Sequence, residues 1–125
     1  MVVGIGVDIV QTSRIEGALE RFHDRFLHRV FTEQEQAVCS QTNDVSRLAA
    51  RFAAKEAVMK ALGTGRAHGV RWIDVEIVGH GGPPRVLLHG QARILAEDLG
   101  IDNIHLSLSH EREYAIAFVV ATTSL

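Results

Sequence analysis

Residues 2–10 alternate along the chain, with Val3, Ile5, Val7 and Ile9 on one face and Gly4, Gly6 and Asp8 on the other, and this pattern predicts a β-strand. Ile15, Leu19, Phe22 and Phe26 then recur at helical spacing, and Ser13 followed by Glu16 has the form of a capping box. Together they predict a helix from Ser13 to about Arg25. Thr32 followed by Glu35 is a second such box and predicts a short helix over residues 33–40, after which Asn43 and Asp44 supply a loop. The longest helical signal covers residues 46–62. Leu48, Phe52, Met59 and Leu62 form its stripe, alanines fill the remainder, and Gly63 ends it. Strands are expected over 73–78 and 85–89, separated by the turn-rich stretch 79–84. A helix over 91–99 stops at Gly100, and strands over 104–109 and 114–121 form a closing hairpin. The order β-α-α-α-β-β-α-β-β predicts an α+β domain with a mainly antiparallel sheet.

Length and composition narrow the class. The 125 residues suit one domain over 1–125, and 46% hydrophobic with 22% charged residues is an ordinary globular balance. The net charge of −2 gives no general reason to expect nucleic acid. Cys39 is the only cysteine, which excludes an intrachain disulfide and a thiolate metal cluster. No basic leader precedes the N-terminal apolar stretch, and the longest apolar run, residues 114–121, is far short of a membrane span. A soluble cytoplasmic protein without a membrane partner is expected. Its few strands for so apolar a chain are compatible with an oligomer.

Several residues stand out chemically. Asp8 is a carboxylate inside an apolar strand, costly unless it is paired or metal-bound, and its face neighbours Gly4 and Gly6 leave it open to close approach. It can equally cap the turn before Ser13. Glu56 borders the apolar stripe of the long helix, with Lys60 one turn on, an arrangement that also describes a simple helical ion pair. Arg51, Lys55 and Lys60 precede Gly63-Thr64-Gly65, a glycine turn beside cations that suits phosphate. Because this turn follows a helix C-terminus, any phosphate there depends on the side-chain cations. His110 sits at the last hairpin. It is five residues from His105, without the third ligand a zinc site needs. Arg14, Arg21 and Arg25 fall at helical spacing on the first helix, beside Phe22 and Phe26, as a basic stripe suited to an acidic protein helix.

Four segments together resemble the holo-acyl-carrier-protein synthase family of phosphopantetheinyl transferases. They are Gly4-Ile5-Gly6-Val7-Asp8-Ile9-Val10, Arg29-Val30-Phe31-Thr32-Glu33-Gln34-Glu35, the run from Arg51 through Lys55-Glu56 and Lys60 to Gly63-Thr64-Gly65, and His105-Leu106-Ser107-Leu108-Ser109-His110-Glu111. The resemblance implies the transferase fold and a magnesium-dependent transfer of phosphopantetheine from coenzyme A to a serine of an apo-acyl-carrier protein. It makes Asp8 and Glu56 the magnesium ligands and sets Lys60 near the reacting phosphate. Arg51, Lys60, Gly63, Thr64, Gly65 and His110 would hold coenzyme A, and Arg14, Arg21 and Arg25 would meet the carrier's acidic helix. It also implies a homotrimer with sites between subunits. Two carboxylates on separate elements suit magnesium, which keeps water and phosphate oxygens in its shell. The serine proton has three candidate acceptors: Glu56 through water, water held by the metal, and His110. Two competing readings are a magnesium-dependent phosphohydrolase acting on coenzyme A and a noncatalytic nucleotide-binding module.

Overall fold

The computed structural model describes residues 1–40, 45–63, 69–79 and 82–124. The loop expected at Asn43 and Asp44, and part of the 79–84 turn, lie outside them. Strand β1 (Val2–Gln11) leads directly into helix α1 (Thr12–Val30), followed by α2 (Glu33–Cys39) and α3 (Ser46–Ala61). A 3-10 turn (Trp72–Asp74) precedes β2 (Val75–Val78) and β3 (Arg85–Leu88). Helix α4 (Gly90–Asp98) and strands β4 (Asn103–His110) and β5 (Tyr114–Thr122) complete the chain. The strands form an antiparallel three-stranded sheet in the order β1-β5-β4 and a separate antiparallel pair β2-β3. The element order and the antiparallel α+β class agree with the sequence pattern.

The two faces of β1 fulfil opposite roles from those that hydropathy suggests. Ile5, Val7 and Ile9 are 60%, 53% and 57% exposed, whereas Gly6 is buried against α3. A Cβ on Gly6 would lie 1.8 Å from the carbonyl oxygen of Ala57, and one on Gly4 2.0 Å from that of Ala61. The glycine face is therefore the inner one, and the helix rides on bare backbone. Ala49, Ala53, Ala54, Ala57 and Val58 of α3 are completely buried, as are Ala115, Ala117, Val119 and Ala121 of β5. These small side chains let helix and sheet approach closely and form the centre of the core.

Three local features depart from expectation. The Ser13–Glu16 capping box does not form: the helix starts at Thr12, after Gln11, without a side-chain cap. Its first N–H goes instead to the carbonyl of Glu113 in the closing hairpin, at 2.9 Å. Helix α1 also runs on past Arg25 to Val30, through a break at His23, whose φ of 27° lies in the left-handed region. Beyond the break, Phe26 stacks on Phe52 at 6.4 Å and meets the edge of Phe31 at 5.8 Å, which anchors the second half of the helix. The strand expected from Ile73 begins at Val75, because Asp74 closes the 3-10 turn by accepting from the Arg71 backbone N–H at 2.9 Å. The Thr32–Glu35 box forms as expected, and Gly63, at φ 78°, stops α3.

Candidate active site

The packing of β1 on α3 assembles the site. Gly4 lies against Ala61 and Gly6 against Ala57, so two residues along the strand match one turn along the helix. One more step puts Asp8 on the same face, within reach of the Lys60 side chain of α3. Lys60 Nζ donates to Asp8 Oδ1 at 3.1 Å and to the carbonyl of Val7 at 2.9 Å. Among the described residues two of the three ammonium donors find acceptors, which leaves the third for an incoming oxygen. The Asp8 side chain is 17% exposed and that of Lys60 53%, so the pair stands near the surface and not in the core. Glu56, four residues before Lys60 on α3, is half-buried.

This donor set fits magnesium. It consists of carboxylate oxygens on two rigid elements, and among the described residues Asp8 Oδ2 accepts no hydrogen bond. Cys39, the only thiol, is buried on α2, and burial pushes its pKa up, away from the thiolate form that softer metals need.

His110 ends β4 opposite Ala115, which faces Val10 of β1. Directly paired residues share a sheet face, so His110 extends the inner face beyond Leu108. It stands two strands, on the order of 10 Å, across the sheet from β1. There it lines a groove of about 480 Å³ with Thr12, Glu16, Val45, Ser46, Glu111 and Arg112. His105 is an odd number of residues away and points to the other face, so the two imidazoles cannot share a ligand.

The remaining expected residues are more scattered. Arg51 precedes Lys60 by nine residues, half a turn out of phase on a helix of 3.6 residues per turn. Its Nη2 reaches the carbonyl of Gly79 at 3.4 Å, on the β2 side of α3. Gly63 is exposed at the end of α3, and Thr64 and Gly65 lie outside the described residues. On α1, the break at His23 interrupts the stripe between Arg21 and Arg25. Both guanidiniums nevertheless gather at Phe22, 5.5 and 5.7 Å from the centre of its exposed ring.

Lys55, grouped above with the cations that suit phosphate, turns into the core instead and is not open to a ligand. Its side chain is fully buried and ion-paired with Glu35 at 2.7 Å. Burial pushes the ammonium pKa down, with Glu35 pulling the other way. A signal was available: Glu35 in a capping box next to an alanine-clad helix offers a carboxylate where a core lysine would need one.

Comparison with known proteins gives a consistent answer. The family model of the 4'-phosphopantetheinyl transferase superfamily matches residues 4–119. Holo-[acyl-carrier-protein] synthase of Koribacter versatilis is 49% identical over 122 residues, covering 96% of this chain and 98% of the relative. The crystal structure of holo-[acyl-carrier-protein] synthase from Neisseria meningitidis superposes with a TM-score of 0.88 at 38% identity, covering 98% of this chain and 100% of that one. The Helicobacter pylori holo-[acyl-carrier-protein] synthase, solved in complex with coenzyme A, gives a TM-score of 0.83 at 33% identity, with 94% and 99% covered. The chain belongs to the holo-[acyl-carrier-protein] synthases of the 4'-phosphopantetheinyl transferase superfamily.

Proposed function

We propose that the protein transfers the 4'-phosphopantetheine group of coenzyme A to a serine hydroxyl of an apo-acyl-carrier protein, releasing adenosine 3',5'-bisphosphate. The observation that carries this reading is the Asp8–Lys60 contact between β1 and α3, in a chain nearly half identical to such a synthase. The serine oxygen forms a bond to the β-phosphorus, the bond from that phosphorus to the bridging oxygen breaks, and the bisphosphate leaves with the bridging electrons. Lys60, held by Val7 and Asp8, directs its remaining N–H at the phosphoryl oxygens, where negative charge grows. Asp8 and Glu56 would hold magnesium, which when bound supplies further positive charge at the same oxygens. The serine proton passes to Glu56 through water or to His110. His110, with the groove beside it, supports binding of the nucleotide portion of coenzyme A, and the Gly63-Thr64-Gly65 sequence that follows α3 would serve the same ligand.

The carrier docks on α1. Phe22, flanked by Arg21 and Arg25, offers an apolar knob with a cationic rim to an acidic helix, and Arg14 extends the charge toward β1. The exposed face of Ile5, Val7, Ile9, Ile116 and Phe118 supports self-association. By its family resemblance the assembly is a homotrimer with sites between chains. Arg51, turned away from Lys60 within one chain, then serves a site that a neighbouring chain completes. A single core supports one transferase domain over 1–125. No helix among the described residues is long and apolar enough to cross a membrane, in keeping with action in the cytoplasm.

Incubation with coenzyme A, magnesium and an apo-carrier protein, followed by intact-mass measurement, tests the reading. The carrier should gain one phosphopantetheine. Free phosphopantetheine with an unlabelled carrier would mean hydrolysis instead, and binding without turnover would mean a noncatalytic module.

A further inference from the structure

Lys55 uses every donor it has. Its ammonium meets Glu35 Oε1 at 2.7 Å, the carbonyl of Trp72 at 3.2 Å and the carbonyl of Val75. Glu35 in turn accepts from the backbone N–H groups of Thr32 at 2.9 Å and Ile77 at 3.0 Å. One buried pair thereby bonds α3 to α2, the 3-10 turn and β2. Such a pair is a weak source of stability, because desolvation offsets its attraction and apolar residues of similar volume often serve as well. Its directional bonds do what apolar contacts do poorly, which is to fix the angle of a helix about its own axis.

Helix α3 needs that constraint. Its sheet-facing surface is alanine against glycine backbone, Ala49, Ala50, Ala53 and Ala54 occupy other core positions, and Phe52, Val58 and Met59 are its larger buried side chains. The alanine contacts set how close the helix lies but by themselves resist rotation weakly, and apolar packing at the larger side chains is less directional than hydrogen bonds. Glu56 is the next residue after Lys55, about 100° around the axis, and Lys60 is just over one turn further on. A rotation of about 10° moves side-chain ends at a radius of about 6 Å by about 1 Å. A misplacement of about 1 Å can cost about 100-fold in rate.

We propose that the Lys55–Glu35 pair is a positioning device for the transfer reaction, holding α3 at the rotation that turns Glu56 and Lys60 toward Asp8. This inference rests on the transferase reading above. Two apolar replacements test it in the full-length protein: Lys55→Met with Glu35→Leu, and Lys55→Leu with Glu35→Met. Each is assayed for transfer to an apo-carrier protein beside the parent, with the folded fraction fixed by circular dichroism. The expected result is a folded protein whose kcat per folded molecule falls at least about 30-fold while its KM for the carrier, set on α1, stays within about threefold. A pair that only stabilised the fold would leave kcat per folded molecule unchanged, and that outcome overturns the proposal. Failure of both replacements to fold overturns it too, by making the pair a requirement of folding. A parent protein that transfers nothing would instead refute the transferase reading.

Discussion

Lys60 reaches back across 52 residues of sequence to place its Nζ 3.1 Å from Oδ1 of Asp8. The contact joins the first strand to the end of α3, the most buried helix, and orients the ammonium through two fixed acceptors. Lys60→Met should therefore lower kcat by about 10²–10³-fold, the range seen when one preorganised donor to a developing oxyanion is lost. Coenzyme A affinity, measured by calorimetry, should change much less. A variant altered only in apparent affinity would show that Lys60 binds substrate uniformly and does no more.

Asp8→Asn and Glu56→Gln keep shape and remove one charge each. Both should fold normally and require about 10–100-fold more magnesium for half-maximal rate. Magnesium titration of the transfer assay reads this directly, and near-parental titrations in both variants would remove the metal site from β1 and α3.

Gly6→Ala should be among the most damaging single changes in the chain. Its Cβ would lie 1.8 Å from a backbone oxygen of Ala57, so the helix itself must move. Overpacking of this kind costs about 1–3 kcal/mol or more. Thermal unfolding should show a clear drop in Tm, with a loss of activity greater than the unfolded fraction explains, because the helix that shifts also carries Glu56 and Lys60.

Much of this arrangement was legible in the sequence, and the exceptions have physical causes. The periodicity of β1 predicted the strand but not its inner face, because hydropathy reads side chains and this interface is made of backbone. The break at His23 left no signal: neither glycine nor proline marks it, and the segment beyond it is held by packing of Phe26 on Phe31 and Phe52. Asp8, Glu56 and Lys60 were legible as unusual residues, and the resemblance supplied their roles. The direction of Arg51 could have been read from helical phase alone, since nine residues from Lys60 is half a turn.

Charge reversal on α1 should separate docking from chemistry. Arg14→Glu and Arg21→Glu should raise KM for the carrier and leave coenzyme A binding unchanged. The difference from the parent should shrink as salt rises above about 0.1 M, where the screening length is about 10 Å. Unchanged carrier kinetics at low salt in both variants would move the docking surface off this helix.

Acid should weaken the fold partly through Glu76. Burial alone would raise the pKa of this carboxylate, but hydrogen bonds from Thr32 and His89 outweigh that and hold it below its ordinary 4.5. A carboxylate depressed in the folded state stabilises the fold above its unfolded pKa and loses that contribution as pH falls through the folded value. Urea unfolding should show stability declining below about pH 4.5, and Glu76→Gln should flatten that decline. An equally steep decline in the variant would assign it to other carboxylates.

The pairing of β1 with β5 bears on when the protein can become an enzyme during its synthesis. Asp8 lies opposite Ala117, and β5 supplies the ladder that holds β1 in the sheet. A nascent chain that has just completed α3 already contains Asp8, Glu56 and Lys60, yet lacks the strand that fixes the first of them. Contacts so distant in sequence form late, after the loop between them has been closed. Assembly of the site therefore waits for the last strand to leave the ribosome, and a chain cut short before Tyr114 carries these three residues without the frame that unites them.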